Sequence, residues 1–341
     1  MFFPSLKYNF RADRRIIVNN LTMQVLKILE KSKGDYISGQ KISNTFGVSR
    51  TTIWKHIQKL KDKGFEIESV SNRGYSLKTE PDKIMPETIF LGLETEKLPT
   101  DVYYYECIGS TNKKAKEVAN EGDCSDGTMI IADEQKKGSG RRGRNWYSPP
   151  GTGLWFSLLL KPDFTPEKAP FLTITASLAV HQALTEMGFS PRLKWPNDVL
   201  INNKKICGIL SELSAELGYI KYAVVGIGIN VNQQQFPEEI SEIATSLYQV
   251  KERKVNRKEL LQNILKFFEQ YYKLLTADKE DVLLNQWRDK LAIVGKCIEI
   301  SSNGKIYTGE VIDLSDKGEL ILKTQSGEIK SFWAGDTSLI R

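Results

Sequence analysis

A chain of 341 residues, of which 40% are hydrophobic and 26% charged, is long enough for two or three domains and has the composition of an ordinary globular protein. Its longest apolar runs, such as 222–229, are far shorter than the roughly 20 residues of a membrane helix, and residues 1–20 contain no apolar signal-peptide core. We therefore expect a cytoplasmic protein with no membrane partner. The four cysteines are dispersed, so the sequence predicts neither a disulfide framework nor a zinc site.

The positive charge of the chain is concentrated at its amino-terminal end. Residues 1–85 contain 16 lysines and arginines against 8 acidic residues, a net charge of +8, whereas the whole chain carries +6. A local basic excess of this kind indicates a polyanionic partner for that end of the chain.

This basic end has the pattern of a winged helix-turn-helix. Apolar residues at helical spacing predict a first helix over 21–29, and a second short helix follows Ser38. Gly47 and Val48 form a tight turn, after which Ser49 is a favourable N-cap for a third helix. Two helices joined by a short glycine-containing turn are the helix-turn-helix unit.

A basic hairpin and a polar helix face point to DNA. The predicted strands 65–70 and 75–78 flank a turn at 71–74 with Arg73 at its tip. Short polar groups at the start of the third helix, followed by cations, suit base edges and phosphates. The alternative is a protein-interaction module with a solvated basic face. We expect DNA contacts from Gly39, Ser49, Arg50, Thr51, Thr52, Trp54, Lys55, Gln58, Lys59 and Arg73.

Prolines mark the end of this first domain, which we place at 21–80. Pro81 and Pro86 are expected to break regular structure, and we therefore predict a linker at 81–88. The extension at 1–20 has no clear role.

The central segment carries three polar clusters, of which the first is Ser110-Thr111-Asn112. It follows an apolar and aromatic run over 102–108 and precedes a helical pattern at 113–120. Hydroxyl and amide groups at a strand-to-helix junction can cap the helix or bind a polar ligand, and both interpretations stay open.

The second cluster spans 135–146, between predicted strands at 129–132 and 153–160. Its glycines let the backbone approach a ligand closely, and its arginines pair with carboxylate and phosphate oxygens. The spacing differs from that of a Walker A loop, so this is a different anion site. The alternative is a flexible basic linker, which the flanking strands disfavour.

The third cluster is Lys194-Trp195-Pro196-Asn197-Asp198, followed by a hairpin with strands at 199–201 and 205–212. Lys205 begins the second strand, where it could be an ordinary edge lysine. In the next strand, at 222–230, Gly226 and Gly228 leave space for a group to lie against the backbone.

Beyond the central segment the chain changes from helices to strands. Helical patterns at 258–275 and 282–291 precede short strands at 296–301, 306–313, 319–324 and 329–333. Glycine-containing turns separate these strands, which predicts a small antiparallel barrel.

Together these segments resemble the bifunctional biotin–protein ligase and biotin operon repressor family over about residues 21–341. The loop at 138–144 looks like the family's biotinyl-adenylate loop, and 194–198 with 205–210 look like its Lys-Trp-Pro-Asn-Asp and catalytic-lysine segments. The resemblance implies an α+β multidomain fold. Its parts are an N-terminal winged helix-turn-helix, a central mixed β-sheet with helices of the class II synthetase type at 89–291, and a C-terminal SH3-like β-barrel at 292–341.

The resemblance also implies roles for individual residues. Lys205, Arg141 and Asp198 would be catalytic, with Lys205 bridging the biotin carboxylate and the α-phosphate of ATP, and Asp198 near Mg²⁺. Ser139 stands where the family commonly has arginine, so retention of the adenylate could be weaker. The implied biotin-binding residues are Ser110, Thr111, Asn112, Gln135, Gly138, Ser139, Gly140, Arg141, Lys205 and Gly208. The implied ATP- or adenylate-binding residues are Arg142, Arg144, Trp146, Asn197 and Asn230.

The activity implied is ATP-dependent formation of biotinyl-5'-AMP and transfer of biotin to a lysine of a biotin carboxyl carrier protein. The chain would also bind operator DNA as a homodimer promoted by biotinyl-5'-AMP, with the carrier competing for the same surface. The C-terminal domain would cover the ATP side of the site, assist carrier docking or act as an inert cap. Two alternatives stay open: a biotin-sensing transcription factor without turnover, and a lipoate or octanoate ligase on the same scaffold.

Overall fold

The computed structural model describes residues 14–17, 21–122, 124–216, 218–291, 293–302 and 304–339. A short strand, β1 (Arg14–Ile17), comes first and lies in the extension for which the sequence indicated no role. No helix in the described residues is long and apolar enough to cross a membrane.

The amino-terminal unit is a winged helix-turn-helix with a core of its own. The side chains of Ser38 and Ser49 accept hydrogen bonds from backbone N–H groups in the first turn of the second and third helices. Between these helices Gly47 adopts a left-handed conformation with φ of 63°, which glycine tolerates without strain. The elements are α1 (Leu21–Lys31), α2 (Gly39–Phe46), α3 (Arg50–Asp62), β2 (Glu66–Val70) and β3 (Gly74–Thr79).

The segment after this unit is more ordered than the sequence suggested. The expectation that Pro86 breaks regular structure is wrong, because Pro86 begins a short buried helix, α4 (Pro86–Phe90). Proline has no N–H to donate, and the first position of a helix requires none, so a proline there starts a helix as readily as it ends one. Glu80 ties the winged helix to the rest of the chain through ion pairs with Lys33 and Lys258.

The central part is built on an eight-stranded sheet in the order β1-β4-β5-β6-β10-β9-β8-β7, in which only β4 and β5 are parallel. The strand predicted at 153–160 has the bounds that the sequence indicated. The central elements are β4 (Asp101–Ile108), α5 (Thr111–Glu121), β5 (Thr128–Gln135), β6 (Gly153–Leu160), α6 (Pro170–Glu186), β7 (Arg192–Lys194), β8 (Asp198–Ile201), β9 (Lys204–Glu216), β10 (Tyr219–Asn230), α7 (Glu238–Ser241), α8 (Leu247–Lys251), α9 (Arg257–Thr276) and α10 (Glu280–Lys290).

Helices cover both faces of this sheet. On one face α5 packs over a small apolar cluster that includes Tyr103 and Val224. On the other face α6 lies against the sheet and packs against α9 and α10, within the main core. The sequence gives no signal for α6, because a helix buried on nearly all sides lacks the one-sided apolar pattern that marks a surface helix.

The carboxy-terminal part is a five-stranded antiparallel sheet in the order β14-β13-β12-β11-β15. Four of its strands were predicted from the sequence, and the last one was not. Its apolar side, with Ile298, Val311 and Leu322, joins the main core. The strands are β11 (Cys297–Ser302), β12 (Lys305–Leu314), β13 (Leu320–Thr324), β14 (Ile329–Phe332) and β15 (Asp336–Leu339).

Candidate active site

The fold brings most of the expected site residues around one cavity of about 550 Å³. Strands β9 and β10 contribute to its lining, together with the start of α5, the loop between β5 and β6, and the segment leading into β8. The expected residues that line it are Ser110, Thr111, Asn112, Gln135, Ser139, Gly140, Arg141, Arg144, Trp146, Asn197, Asp198, Lys205, Gly208 and Asn230.

At one end of the cavity the first cluster forms a network of neutral polar groups. Gln135 accepts a hydrogen bond from the backbone N–H of Thr111 at 2.8 Å and donates one to Ser148 at 3.0 Å. Asn112 accepts from Ser157 at 2.7 Å and donates to the backbone oxygen of Leu210 at 3.1 Å. Such fixed donors and acceptors suit an uncharged polar ligand head.

For Ser110, the structure contradicts the capping interpretation of the first cluster. This serine is the N-cap residue of α5, but its side chain makes no capping hydrogen bond. The residue is 6% exposed and lines the cavity. Its hydroxyl is therefore available to a ligand rather than committed to the helix.

A glycine of β10 is required for this network to form. A Cβ atom at Gly226 would lie 1.9 Å from the side-chain oxygen of Asn112. Asn112 also donates to Glu212 at 2.9 Å, and Lys116 donates to the other carboxylate oxygen at 2.8 Å. These hydrogen bonds hold the pKa of Glu212 below its ordinary value, although burial acts in the opposite direction and is the largest single influence.

The glycine- and arginine-rich loop is folded back on itself. The N–H of Gly140 donates to the backbone oxygen of Arg144 at 2.7 Å, and that of Trp146 donates to Gly138 at 2.8 Å. A Cβ atom at Gly138 would lie 2.5 Å from the oxygen of Trp146, so a larger residue there would disrupt this turn. The structure therefore contradicts the interpretation of the loop as a flexible linker.

Within this loop one arginine, Arg141, bonds to another of the expected site residues. Arg141 donates to the side-chain oxygen of Asn197 at 3.2 Å. Arg142 and Arg144 instead reach the carboxylate of Asp336 in β15, at 3.0 and 2.5 Å. Arg144 still lines the cavity, whereas Arg142, like Gly138, does not.

Charge and burial act together on Arg141. Burial is the main cause that lowers the pKa of the Arg141 guanidinium from its ordinary value, and the two neighbouring arginines act in the same direction. Asp336 and Asp198 oppose that shift. Arginine stays protonated in proteins, so the cavity keeps a desolvated cation ready to pair with an anion.

Lys205 supplies a second cation. Its ammonium lies 2.7 Å from the carboxylate of Asp198 and 5.1 Å from the centre of the Trp146 ring. The indole lies against the backbone of β9 and β10, because Cβ atoms at Gly208 and Gly228 would come within 2.9 and 2.4 Å of it. The spacing of these glycines therefore creates a slot that the Trp146 indole occupies, next to the ammonium of Lys205.

Several lining residues could not be found from the sequence. Phe236, Ile240 and Ile243 come from the segment after β10, and Asp336 comes from the C-terminal sheet. None stands in a recognisable motif, and only the tertiary fold places them beside the other site residues.

The expected DNA-binding residues lie on the winged helix. Arg50, Thr51, Lys55 and Lys59 are exposed on α3, and the exposed fraction of Trp54 is 51%. The remaining expected residues are placed as follows: Gly39 begins α2, Ser49 caps α3, Thr52 and Gln58 are half-buried on α3, and Arg73 lies at the wing tip over the ring of Tyr36.

Comparison with known proteins agrees with this arrangement. Residues 104–230 match the model of the biotin/lipoate A/B protein ligase family, residues 22–76 match an HTH domain, and residues 293–339 match the biotin protein ligase C-terminal domain. The bifunctional ligase/repressor BirA of Bacillus subtilis is 38% identical over 94% of this chain and 99% of its own length. The chain belongs to the family of bifunctional biotin ligases and repressors. The Escherichia coli BirA protein is 28% identical over 94% of this chain and 98% of its own length.

A solved structure supports the same family at the level of the fold. The biotin protein ligase of Aquifex aeolicus, in complex with biotin and ATP, aligns with a TM-score of 0.61 and 35% identity. It covers 70% of this chain and 98% of the Aquifex chain. The family and the fold class that the sequence indicated are thus confirmed.

Proposed function

We propose that this protein activates biotin with ATP and transfers it to a lysine of a biotin carboxyl carrier protein, and that it represses transcription through its winged helix. The observation that carries the enzymatic part is the cavity itself, in which a neutral polar end lies beside the cations of Arg141, Arg144 and Lys205. The ureido ring of biotin fits the first region, and the carboxylate and phosphates fit the second.

In the first half-reaction, an oxygen of the biotin carboxylate attacks the α-phosphorus of ATP. A new oxygen–phosphorus bond forms, the bond to pyrophosphate breaks, and biotinyl-5'-AMP remains. Two anions about 4 Å apart repel by about 4 kcal/mol at an effective dielectric constant of 20. Lys205 and Arg141 offset this repulsion, so catalysis rests on positioning and charge stabilisation.

We assign the adenine ring to the part of the cavity beside the Trp146 indole. The Nε1 atom of this indole is buried and has no hydrogen-bond partner among the described residues. Asn230, which is 4% exposed, lies at the same end and accepts a hydrogen bond from Gln233. A flat heterocycle with nitrogen acceptors suits both groups.

Mg²⁺ would be held mainly by the phosphates. The described residues contain no cluster of three or more metal-ligating side chains, and Mg²⁺ at phosphate sites needs only one or two carboxylates. Asp198 is the carboxylate that fits, because it lies in the cavity beside Lys205. Mg²⁺ would neutralise phosphate charge when bound.

In the second half-reaction, the neutral amine of the carrier lysine attacks the acyl carbon. A carbon–nitrogen bond forms, the bond from the acyl carbon to the AMP oxygen breaks, and the nitrogen loses a proton. Asp198 is our candidate for orienting the amine or receiving that proton. Closure of the loop around Arg141 would keep water from the mixed anhydride.

The winged helix would contact operator DNA through the exposed polar face of α3 and the wing tip. We propose that the repressor is a homodimer promoted by biotinyl-5'-AMP and that the carrier protein competes for the same surface. The basic charge of residues 1–85 supports a DNA partner. A cytoplasmic location stays a prediction.

Labelling of an apo-carrier tests the enzymatic proposal. Purified protein is given ATP with labelled biotin or, in parallel, labelled lipoate. We expect label on the carrier with biotin only; efficient transfer of lipoate would favour the lipoate ligase alternative, and tight biotin binding without transfer would favour the sensor. A DNA-binding assay with and without biotin then tests repression, where equal binding in both conditions would contradict biotin control.

A further inference from the structure

A second cavity of about 400 Å³ lies against the active site. Four residues line both cavities: Arg141, Asn197, Ile209 and Leu210. The partition between them therefore contains Arg141 itself and its hydrogen-bond partner Asn197. A group bound in the second cavity would lie next to the place where the anhydride forms.

The second cavity is a cleft between the central and C-terminal parts of the chain. The start of α6 with the residues before it provides one side, and Gly318 and Trp333 provide the other. Its lining is mainly apolar, and the exposed fractions of the rim residues Leu213 and Trp333 are 46% and 50%. An apolar recess with an open, apolar rim is typical of a site that anchors a side chain of a partner.

One wall of this cleft also contains a buried hydrogen-bond donor that has no acceptor in the described part of the chain. Trp287 of α10 lines the cleft and is 2% exposed, yet its Nε1 atom has no partner in the described part of the chain. By contrast, the indole of Trp195 on the same wall donates to the backbone oxygen of Gly318 at 3.3 Å. A buried donor without a partner is costly, and a backbone carbonyl next to an inserted apolar side chain would relieve that cost after a small shift of the ring.

We infer that this cleft receives the apolar side chain of a carrier residue next to the acceptor lysine. This inference rests on the proposed function, because the occupant must come with the amine that attacks the anhydride. Residues adjacent in sequence lie within a few ångströms of each other, which matches two cavities that share one partition. The cleft would thereby set the register in which the carrier presents its lysine.

The test fills the cleft without touching the adenylation machinery. Thr173 lies on α6, lines the cleft and donates to Ser211 at 2.8 Å. We expect Thr173→Phe to raise the KM for the carrier at least tenfold. Biotin-dependent pyrophosphate release and the reaction of the adenylate with hydroxylamine, an amine too small to need the cleft, should stay within twofold of the wild type.

Matched variants make the test decisive. Thr276→Phe introduces the same side chain at an exposed position at the end of α9 and should leave the carrier KM unchanged. Trp333→Ala removes a half-exposed rim residue, so we expect this variant to fold even if Thr173→Phe does not. It should raise the KM for the carrier severalfold. Truncating the carrier residue beside the lysine should weaken transfer by the wild type far more than by Thr173→Phe.

Three results would overturn the inference. An unchanged carrier KM in both folded cleft variants would show that the carrier does not use the cleft. Loss of self-association without a change in carrier KM would assign the cleft to a second copy of the chain. Absence of pyrophosphate release by the wild type itself would refute the proposed function and this inference with it.

Discussion

Replacement of Lys205 by methionine should nearly abolish adenylate formation while leaving the fold intact. The side chain keeps its length and loses its charge. At an effective dielectric constant of 20, a cation about 4 Å from an anion contributes about 4 kcal/mol, which corresponds to about a 10³-fold change in rate. The assay is biotin-dependent release of pyrophosphate under single-turnover conditions.

The neighbouring lysine is a matched control for this variant. Lys204 occupies the preceding position of β9, donates to the backbone oxygen of Ser241 at 3.1 Å and does not line the cavity. Lys204→Met should therefore release pyrophosphate at a rate within threefold of the wild type. Near-normal release by Lys205→Met would refute the role assigned to Lys205, provided that circular dichroism shows both variants folded.

Three further predictions follow from other parts of the structure. Gly228→Ala displaces Trp146 and should lower adenylation about tenfold, measured as pyrophosphate release; an unchanged rate would contradict the assignment of adenine to the space beside Trp146. Burial lowers the pKa of His181 from 6.5 to about 4, so protonation favours the unfolded chain and stability falls as the pH drops from 6.5 towards 4. The loss in the free energy of unfolding is at most about 3 kcal/mol, and about 2 kcal/mol after solvent screening. Urea unfolding at several pH values should show a weaker pH dependence of stability for His181→Gln than for the wild type, and identical pH profiles would contradict this. Lys55→Ala should reduce the salt dependence of DNA binding by about one counterion, whereas Lys27→Ala on α1 should leave it unchanged. Equal effects of the two substitutions would show that α3 does not contact the DNA.

Local patterns predicted the elements that carry their own signals. The N-cap at Ser49 and the turn at Gly47 indicated the winged helix, because each acts within a few residues. By contrast, α6 gave no periodic signal because it is buried between the sheet and two helices. Pro86 was misread because the same residue that ends one helix can begin another.

For the site, the sequence indicated which residues are chemically suited to bind biotin and ATP, but not which of them contact one another. The motifs singled out Ser110, Gln135, Arg141 and Lys205, and it is the fold that places all four around one cavity. The pairing of Arg142 and Arg144 with Asp336 joins residues nearly 200 positions apart, and no local pattern encodes such a contact. The second cavity was equally hidden, since its walls come from two domains.

The most direct test of the account is the detection of an enzyme-bound intermediate in the absence of any carrier. The protein is mixed with labelled biotin and ATP, the low-molecular-weight products are extracted, and biotinyl-5'-AMP and pyrophosphate are quantified by mass spectrometry. We predict one adenylate and one pyrophosphate per active site, followed by transfer of the label when apo-carrier is added. Binding of both biotin and ATP without adenylate formation would show that the cavity does not bring the two anions together.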